Sequence, residues 1–261
     1  MDINKLLGLP ELASQHGADV DKLIVYVHYL MLALFVGWAA YFLLALVKFR
    51  KGKNPKADYA GVTGHASNYM ELAVAVIEIV LLVGFAVPLW ARVVDEFPKP
   101  EENPINVQVT AQQFNWMARY SGADGKFGKQ DIKYVTGENP LGLYQKDATA
   151  KANDPEGADD VNISAGAEMV VPINQPVIAH ISSLDVIHSF KVTPLRVTQD
   201  AIPGLRIPIH FKATKTNLFQ INCAQLCGNG HYNMKGWIRV ASSNEFVTWL
   251  QSKAGASQGF E

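Results

Sequence analysis

The stretch Asn222-Cys223-Ala224-Gln225-Leu226-Cys227-Gly228-Asn229-Gly230-His231-Tyr232-Asn233-Met234 holds both cysteines of the chain. Its spacing, C-x3-C-x3-H-x2-M, gathers two thiols, an imidazole and a thioether into one short segment. Thiolate and thioether favour copper and imidazole suits it, whereas structural zinc normally takes four Cys/His ligands and has no use for a Met. A mononuclear blue-copper site takes one Cys, two His and a weak axial Met, so the second Cys needs another role. Two thiolates on one loop could bridge two copper ions, and a further His from elsewhere would give each metal its own imidazole; His188 is the candidate. A disulfide between the two cysteines and a zinc site stand as alternatives, and His188 taken alone reads as an ordinary buried histidine. A loop that holds metal donors in fixed positions needs a stiff support.

The segments around the loop supply that support. Ile105 to Phe114 alternates apolar and polar residues, as a half-buried strand does. Met169–Ile173, Pro176–Ser182, Ile187–Val192, Arg206–Lys212, Leu218–Asn222 and Trp237–Ala241 read the same way. Serial short strands separated by Pro, Gly and Asn predict an all-β sandwich or barrel. Ser242 with Glu245 forms a capping box for a terminal helix over Phe246 to Lys253. The stretch 121–164 shows little periodicity and reads as a long excursion between strands.

Towards the N-terminus the pattern changes. Leu23 to Val47 runs without a formal charge, and at about 1.5 Å per residue that length spans a bilayer. Lys48, Arg50, Lys51, Lys53 and Lys56 follow at once, and a basic cluster in a short loop marks the cytoplasmic side. A second apolar run, about Tyr69 to Ala91, returns the chain. The expected organisation is an extracytoplasmic segment 1–22, a transmembrane hairpin 23–91 with a cytoplasmic loop 48–68, a linker 92–104, a β domain 105–253 and a tail 254–261. Both termini then lie outside. Glu71 and Glu78 sit inside the second run on one helix face. Carboxylates at that depth are costly, which makes them candidates for a proton path; a protonated Glu78 hydrogen-bonded to a neighbouring helix is the equal alternative.

C-A-Q-L-C-G-N-G-H-Y-N-M, with D-V-I-H-S-F at 185–190 and D-A-I-P-G at 200–204, resembles the binuclear copper (CuA) domain of cytochrome c oxidase subunit II, and the resemblance extends over nearly the whole chain. It implies a two-helix transmembrane hairpin followed by an all-β, cupredoxin-like Greek-key barrel. It further implies that Cys223 and Cys227 bridge two copper ions, His188 and His231 each bind one, Met234 is a weak axial ligand, and the Gln225 carbonyl is the opposite one. Gln113-Phe114-Asn115-Trp116 stands where the family has an aromatic run that receives electrons, with Phe114 in place of its first tryptophan and Trp116 at the later one. Many members have glutamate at the Gln225 position, where it helps bind magnesium; a neutral amide is a poorer ligand for that ion, so the magnesium site is expected to be absent or differently built.

The implied role is an electron-entry subunit of a respiratory haem-copper oxidase in the bacterial inner membrane. It would take electrons from cytochrome c or another carrier, pass them to haem in subunit I among other oxidase subunits, and operate alongside proton translocation. The chain itself would hold no haem and no catalytic residue, and it lacks the C-x-x-C-H of covalent haem c. A formal net charge of −1 argues against a nucleic-acid partner. Steering of a basic donor is expected to rest on a local patch such as Asp154, Glu156, Asp159 and Asp160, or the donor is held in a stable complex. A membrane-anchored copper chaperone or assembly factor is the alternative, although it would need βαβ alternation. The electron-transfer domain of nitrous oxide reductase would need a large propeller.

Overall fold

The computed structural model describes residues 3–56, 59–60 and 63–257, with side chains to residue 254. The chain divides into two units. The first comprises residues 1–9 and 18–92, the second residues 10–17 and 93–261.

The first unit holds a helical turn α1 (Ile3–Leu6), the long helix α2 (Gly17–Lys48), and a second span built of α3 (Ala66–Leu81), a π-helical turn (Leu82–Ala86) and α4 (Val87–Val94). The two long helices, Gly17–Lys48 and Ala66–Val94, are both long and apolar enough to cross a membrane. Helix α2 begins at Gly17 rather than Leu23, because Asp19 and Lys22 are tolerated in its first turns, where Asp19 also faces the positive end of the helix dipole. The π-turn precedes Pro88, whose missing N–H cannot continue the regular ladder. Tyr26 and Phe85 pack edge to face across the pair, with ring centres 5.6 Å apart.

The second unit is a β sandwich. One sheet has the order β3-β2-β1-β5-β8, built from β1 (Ile105–Gln112), β2 (Asn115–Tyr120), β3 (Val161–Ile163), β5 (Pro176–Ser183) and β8 (Ile207–Lys212). The other has the order β4-β10-β9-β6-β7, from β4 (Met169–Pro172), β6 (His188–Val192), β7 (Val197–Ala201), β9 (Asn217–Cys223) and β10 (Lys235–Ala241). The pairs β1·β5 and β4·β10 are parallel and the others antiparallel. Val107, Val109, Ile181, Phe190, Ile221 and Ile238 fill the space between the sheets. Each such buried side chain stabilises the fold by about 1.5–3 kcal/mol. These sheets are the two faces of the flattened cupredoxin-like barrel.

The terminal helix α5 (Ser243–Ser257) starts at a capping box: the Glu245 carboxylate accepts from the Ser242 N–H and hydroxyl, and the Ser242 hydroxyl accepts from the Glu245 N–H. Residues 258–261 of the expected tail lie outside the described residues.

Part of the expected segment 1–22 joins the β domain. Residues 10–17 are stitched into the β domain. Ala13 N–H donates to the Pro194 carbonyl, Gln15 N–H to that of Lys212, and Thr214 N–H to that of Ala13. Arg196 donates to the carbonyls of Pro10 and Glu11, and Ala13 is fully buried in the core. The physical reason is an unpaired run of backbone at the end of β8, which this segment satisfies.

Candidate metal centre

Three chain reversals meet at one end of the sandwich. The turn 113–114 joins β1 to β2, the link 184–187 joins β5 to β6, and the loop 224–234 joins β9 to β10. Strand β6 lies beside β9 with Phe190 opposite Cys223, so the side chain at the start of β6 falls next to the end of β9. That register brings His188 to the cysteines across 35 residues of sequence.

His188 Nδ1 lies 3.9 Å from Cys223 Sγ, and Cys223 Sγ 3.8 Å from Cys227 Sγ. His231 Nδ1 is 3.6 Å and Met234 Sδ 3.7 Å from Cys227 Sγ, while the Gln225 carbonyl is 3.1 Å from Cys223 Sγ. Both cysteines are free, and the donor atoms of His188, Cys223 and Cys227 all lie within 4.8 Å of one another. All six residues singled out in the sequence are therefore gathered round the two sulfurs. His188, Cys227 and Met234 are buried, whereas Gln225 is exposed.

The electrostatics suit a soft cation. Asp185 Oδ1 accepts from His188 Nε2 at 2.9 Å. A carboxylate only accepts, so that ring nitrogen carries a proton, and in the neutral ring it is Nδ1, on the side of the sulfurs, that keeps the lone pair. Burial alone would raise the Asp185 carboxyl, but hydrogen bonds from the Gln113 N–H, the His188 ring and the Val186 N–H hold it below its ordinary value. Burial, and then the neighbouring Cys223, push the Cys227 thiol up to about 11. Near neutral pH that sulfur keeps its proton until a metal displaces it. With two thiols, two imidazoles, a thioether and a carbonyl facing one another, the donor set fits copper and offers no hard-cation carboxylate.

The apolar side chains round the loop do not all close over it. Phe190 is buried, but Leu226 at the loop tip is 78% exposed and Trp237 38% exposed. Strand parity is the cause for Trp237, since its neighbours Gly236 and Ile238 point inward and it must point out. The inner wall is instead Phe190 and Trp116, whose rings meet edge to face at 5.6 Å, with Trp116 6.3 Å from His188. Trp116 is 4% exposed and belongs to the core, while Phe114 is half-buried over the loop.

Gly228, at φ +137°, takes a conformation that favours glycine. Gly230 is needed for space rather than for a turn: a Cβ there would lie 2.4 Å from the Phe114 ring.

The proposed acidic patch does not form as expected. Asp154 and Asp160 are 1% and 5% exposed, and Asp159 accepts from the N–H groups of Ala123 and Asp124. These carboxylates fold the excursion 121–160 instead of facing a partner. Glu71 and Glu78 stand exposed on α3, remote in sequence from the metal loop.

Fold and site together define a membrane-anchored cupredoxin-like protein with a loop of soft metal donors. A family profile described as the periplasmic domain of cytochrome c oxidase subunit II matches residues 146–241. The chain is 34% identical over 147 residues to the alternative cytochrome c oxidase subunit 2 of Bradyrhizobium diazoefficiens, covering 56% of this chain and 50% of that one. It is 28% identical over 193 residues to cytochrome c oxidase subunit 2 of Cereibacter sphaeroides, covering 72% of this chain and 62% of the other. A crystal structure of the periplasmic domain of cytochrome oxidase subunit II of Bradyrhizobium japonicum aligns with 27% identity and a TM-score of 0.41, over 58% of this chain and 94% of that one. The chain spans about half to three fifths of the length of these two curated relatives, and its likeness to the periplasmic domain of subunit II lies in residues 146–241.

Proposed function

We propose that this chain is the electron-entry subunit of a respiratory haem-copper oxygen reductase, taking electrons one at a time from cytochrome c or a similar carrier and delivering them to haem in subunit I. The observation that carries this reading is the convergence of the Cys223 and Cys227 sulfurs with the imidazoles of His188 and His231, each joined to the next within 3.9 Å. Bound there, a pair of copper ions would supply a one-electron relay. Cys223, Cys227, His188 and His231 would hold the pair, with Met234 and the Gln225 carbonyl as weaker ligands.

The protein's own contribution is rigidity and dryness. Asp185 fixes the His188 ring, the β6–β9 pairing fixes its distance from Cys223, and Phe190 and Trp116 keep water from the inner side. Phe114 carries no redox-active indole, so the entry route runs past its ring, with Trp116 behind it. The oxygen chemistry belongs to the partner subunit.

The charge pattern supports a location with both termini on the periplasmic side of a bacterial inner membrane. The basic cluster Lys48 to Lys56 lies between the helices, where positive charge favours the cytoplasm. Glu71 and Glu78 on α3 would then feed a proton route into the partner. Glu71→Gln is expected to slow proton-coupled turnover of the assembled oxidase without changing reduction of the copper centre; unchanged turnover removes Glu71 from the route.

Electron paramagnetic resonance on the copper-loaded full chain tests the centre itself. The expected hyperfine pattern is that of one electron shared by two equivalent copper nuclei. A pattern from a single copper nucleus would mean a mononuclear site.

A further inference from the structure

Gln113 offers no donor atom to the cluster, yet it grips both halves of it. Its backbone N–H donates to Asp185 Oδ2 at 2.7 Å. The other oxygen of that carboxylate accepts from His188 Nε2 at 2.9 Å and from the Val186 N–H at 2.7 Å. The side-chain amide of Gln113 donates to the Cys227 carbonyl at 2.6 Å. One residue on the β1–β2 turn is thereby joined to the segment that presents His188 and to the loop that presents the two sulfurs. The loop is shaped to receive it, because a Cβ on Gly228 would lie 2.8 Å from Gln113 Nε2.

We infer that Gln113 is a positioning residue of the metal centre, whose amide sets the placement and electron density of Cys227 relative to His188. The inference rests on the copper reading above. Two effects follow from the geometry. The amide tethers the Cys227 end of the loop to the element that holds Asp185, so removing it loosens the separation between the two halves of the site. The positive end of its N–H dipole points at the Cys227 peptide, which would favour the form of the centre carrying the extra electron. Gln113 is exposed to solvent. Water can replace part of its bond, so a moderate effect is expected rather than loss of the site.

The test compares the copper-loaded full chain with Gln113→Met, which keeps length and loses the donor, and with Gln113→Glu, which keeps shape and puts a carboxylate against the carbonyl. Midpoint potential, copper hyperfine splitting and the rate of copper loss to a chelator are measured for each. The expected order of potential is wild type above Met above Glu. Copper should leave the Met variant about ten times faster, at the low end of the range for residues that orient ligands. A residue that only stabilised the fold would lower the unfolding midpoint without moving potential or hyperfine splitting in that order. A wild-type chain with the shared-electron signal, whose potential and copper-loss rate neither variant changes, overturns the assignment of Gln113. A wild-type chain that takes up no copper overturns the metal reading instead. Should Gln113→Met fail to fold, the near-isosteric Gln113→Glu carries the comparison.

Discussion

The loop 222–234 and the excursion 121–160 are both irregular, and hydrogen bonds between side chains and backbone order both of them. In the excursion, the carboxylates come from the stretch itself. Asp154 accepts from the Lys129 N–H, Asp159 from those of Ala123 and Asp124, and Asp160 from that of Gly128 as well as from Arg119. The metal loop is held from outside, by Gln113 on its Cys227 carbonyl and by the Phe114 ring against Gly230. A loop that folds on its own polar side chains uses up its donors and acceptors. A loop clamped by neighbouring elements keeps its sulfurs and imidazoles free for a ligand. That difference separates a structural excursion from a functional one, although both are loops on the same domain.

Four substitutions break or sharpen this contrast. The largest effect is expected in the metal loop: Cys227→Ser should abolish the shared-electron signal and lower bound copper per chain, as metal analysis and paramagnetic resonance would show. Next comes the excursion. Arg119 and Asp160 have side chains only 2% and 1% exposed, so Arg119→Met leaves a buried carboxylate unpaired. The expected cost is about 3–5 kcal/mol in denaturant unfolding, with the copper signal of the folded fraction unchanged. A copper signal that changed would show that the two regions are coupled. Smaller is the effect of Gly230→Ala, whose Cβ must displace the Phe114 ring. About 1–3 kcal/mol of destabilisation is expected, together with an altered hyperfine pattern; no change in either would mean that Phe114 does not clamp the loop. The smallest belongs to Leu226→Ser at the exposed loop tip, within about 0.5 kcal/mol by thermal unfolding.

The strands that could be read from sequence are those that alternate. Strand β2 escaped because Trp116 to Tyr120 is buried on both faces and carries Arg119 in its middle, which hides any period of two. Strand β3 has three residues, too few to show a pattern. Strand β7 is an edge strand whose polar Thr198, Gln199 and Asp200 read as a turn. The tether of residues 10–17 left no local signal either, since its partners are backbone groups almost two hundred residues away.

Sequence alone determined the chemistry of this protein's donors, because softness and proton affinity belong to residue types and their short spacing needs no fold to be seen. It also determined the two apolar helices, since length and charge decide whether a segment can leave water. Only the tertiary structure decided which side chains reach the site. Long-range pairing carries His188 to Cys223, strand parity turns Trp237 outward, and burial turns Asp154 and Asp160 inward. The bonds that join Gln113 to both Asp185 and Cys227 likewise exist only once three distant turns are packed together, and the free energy of that packing is written in no single segment.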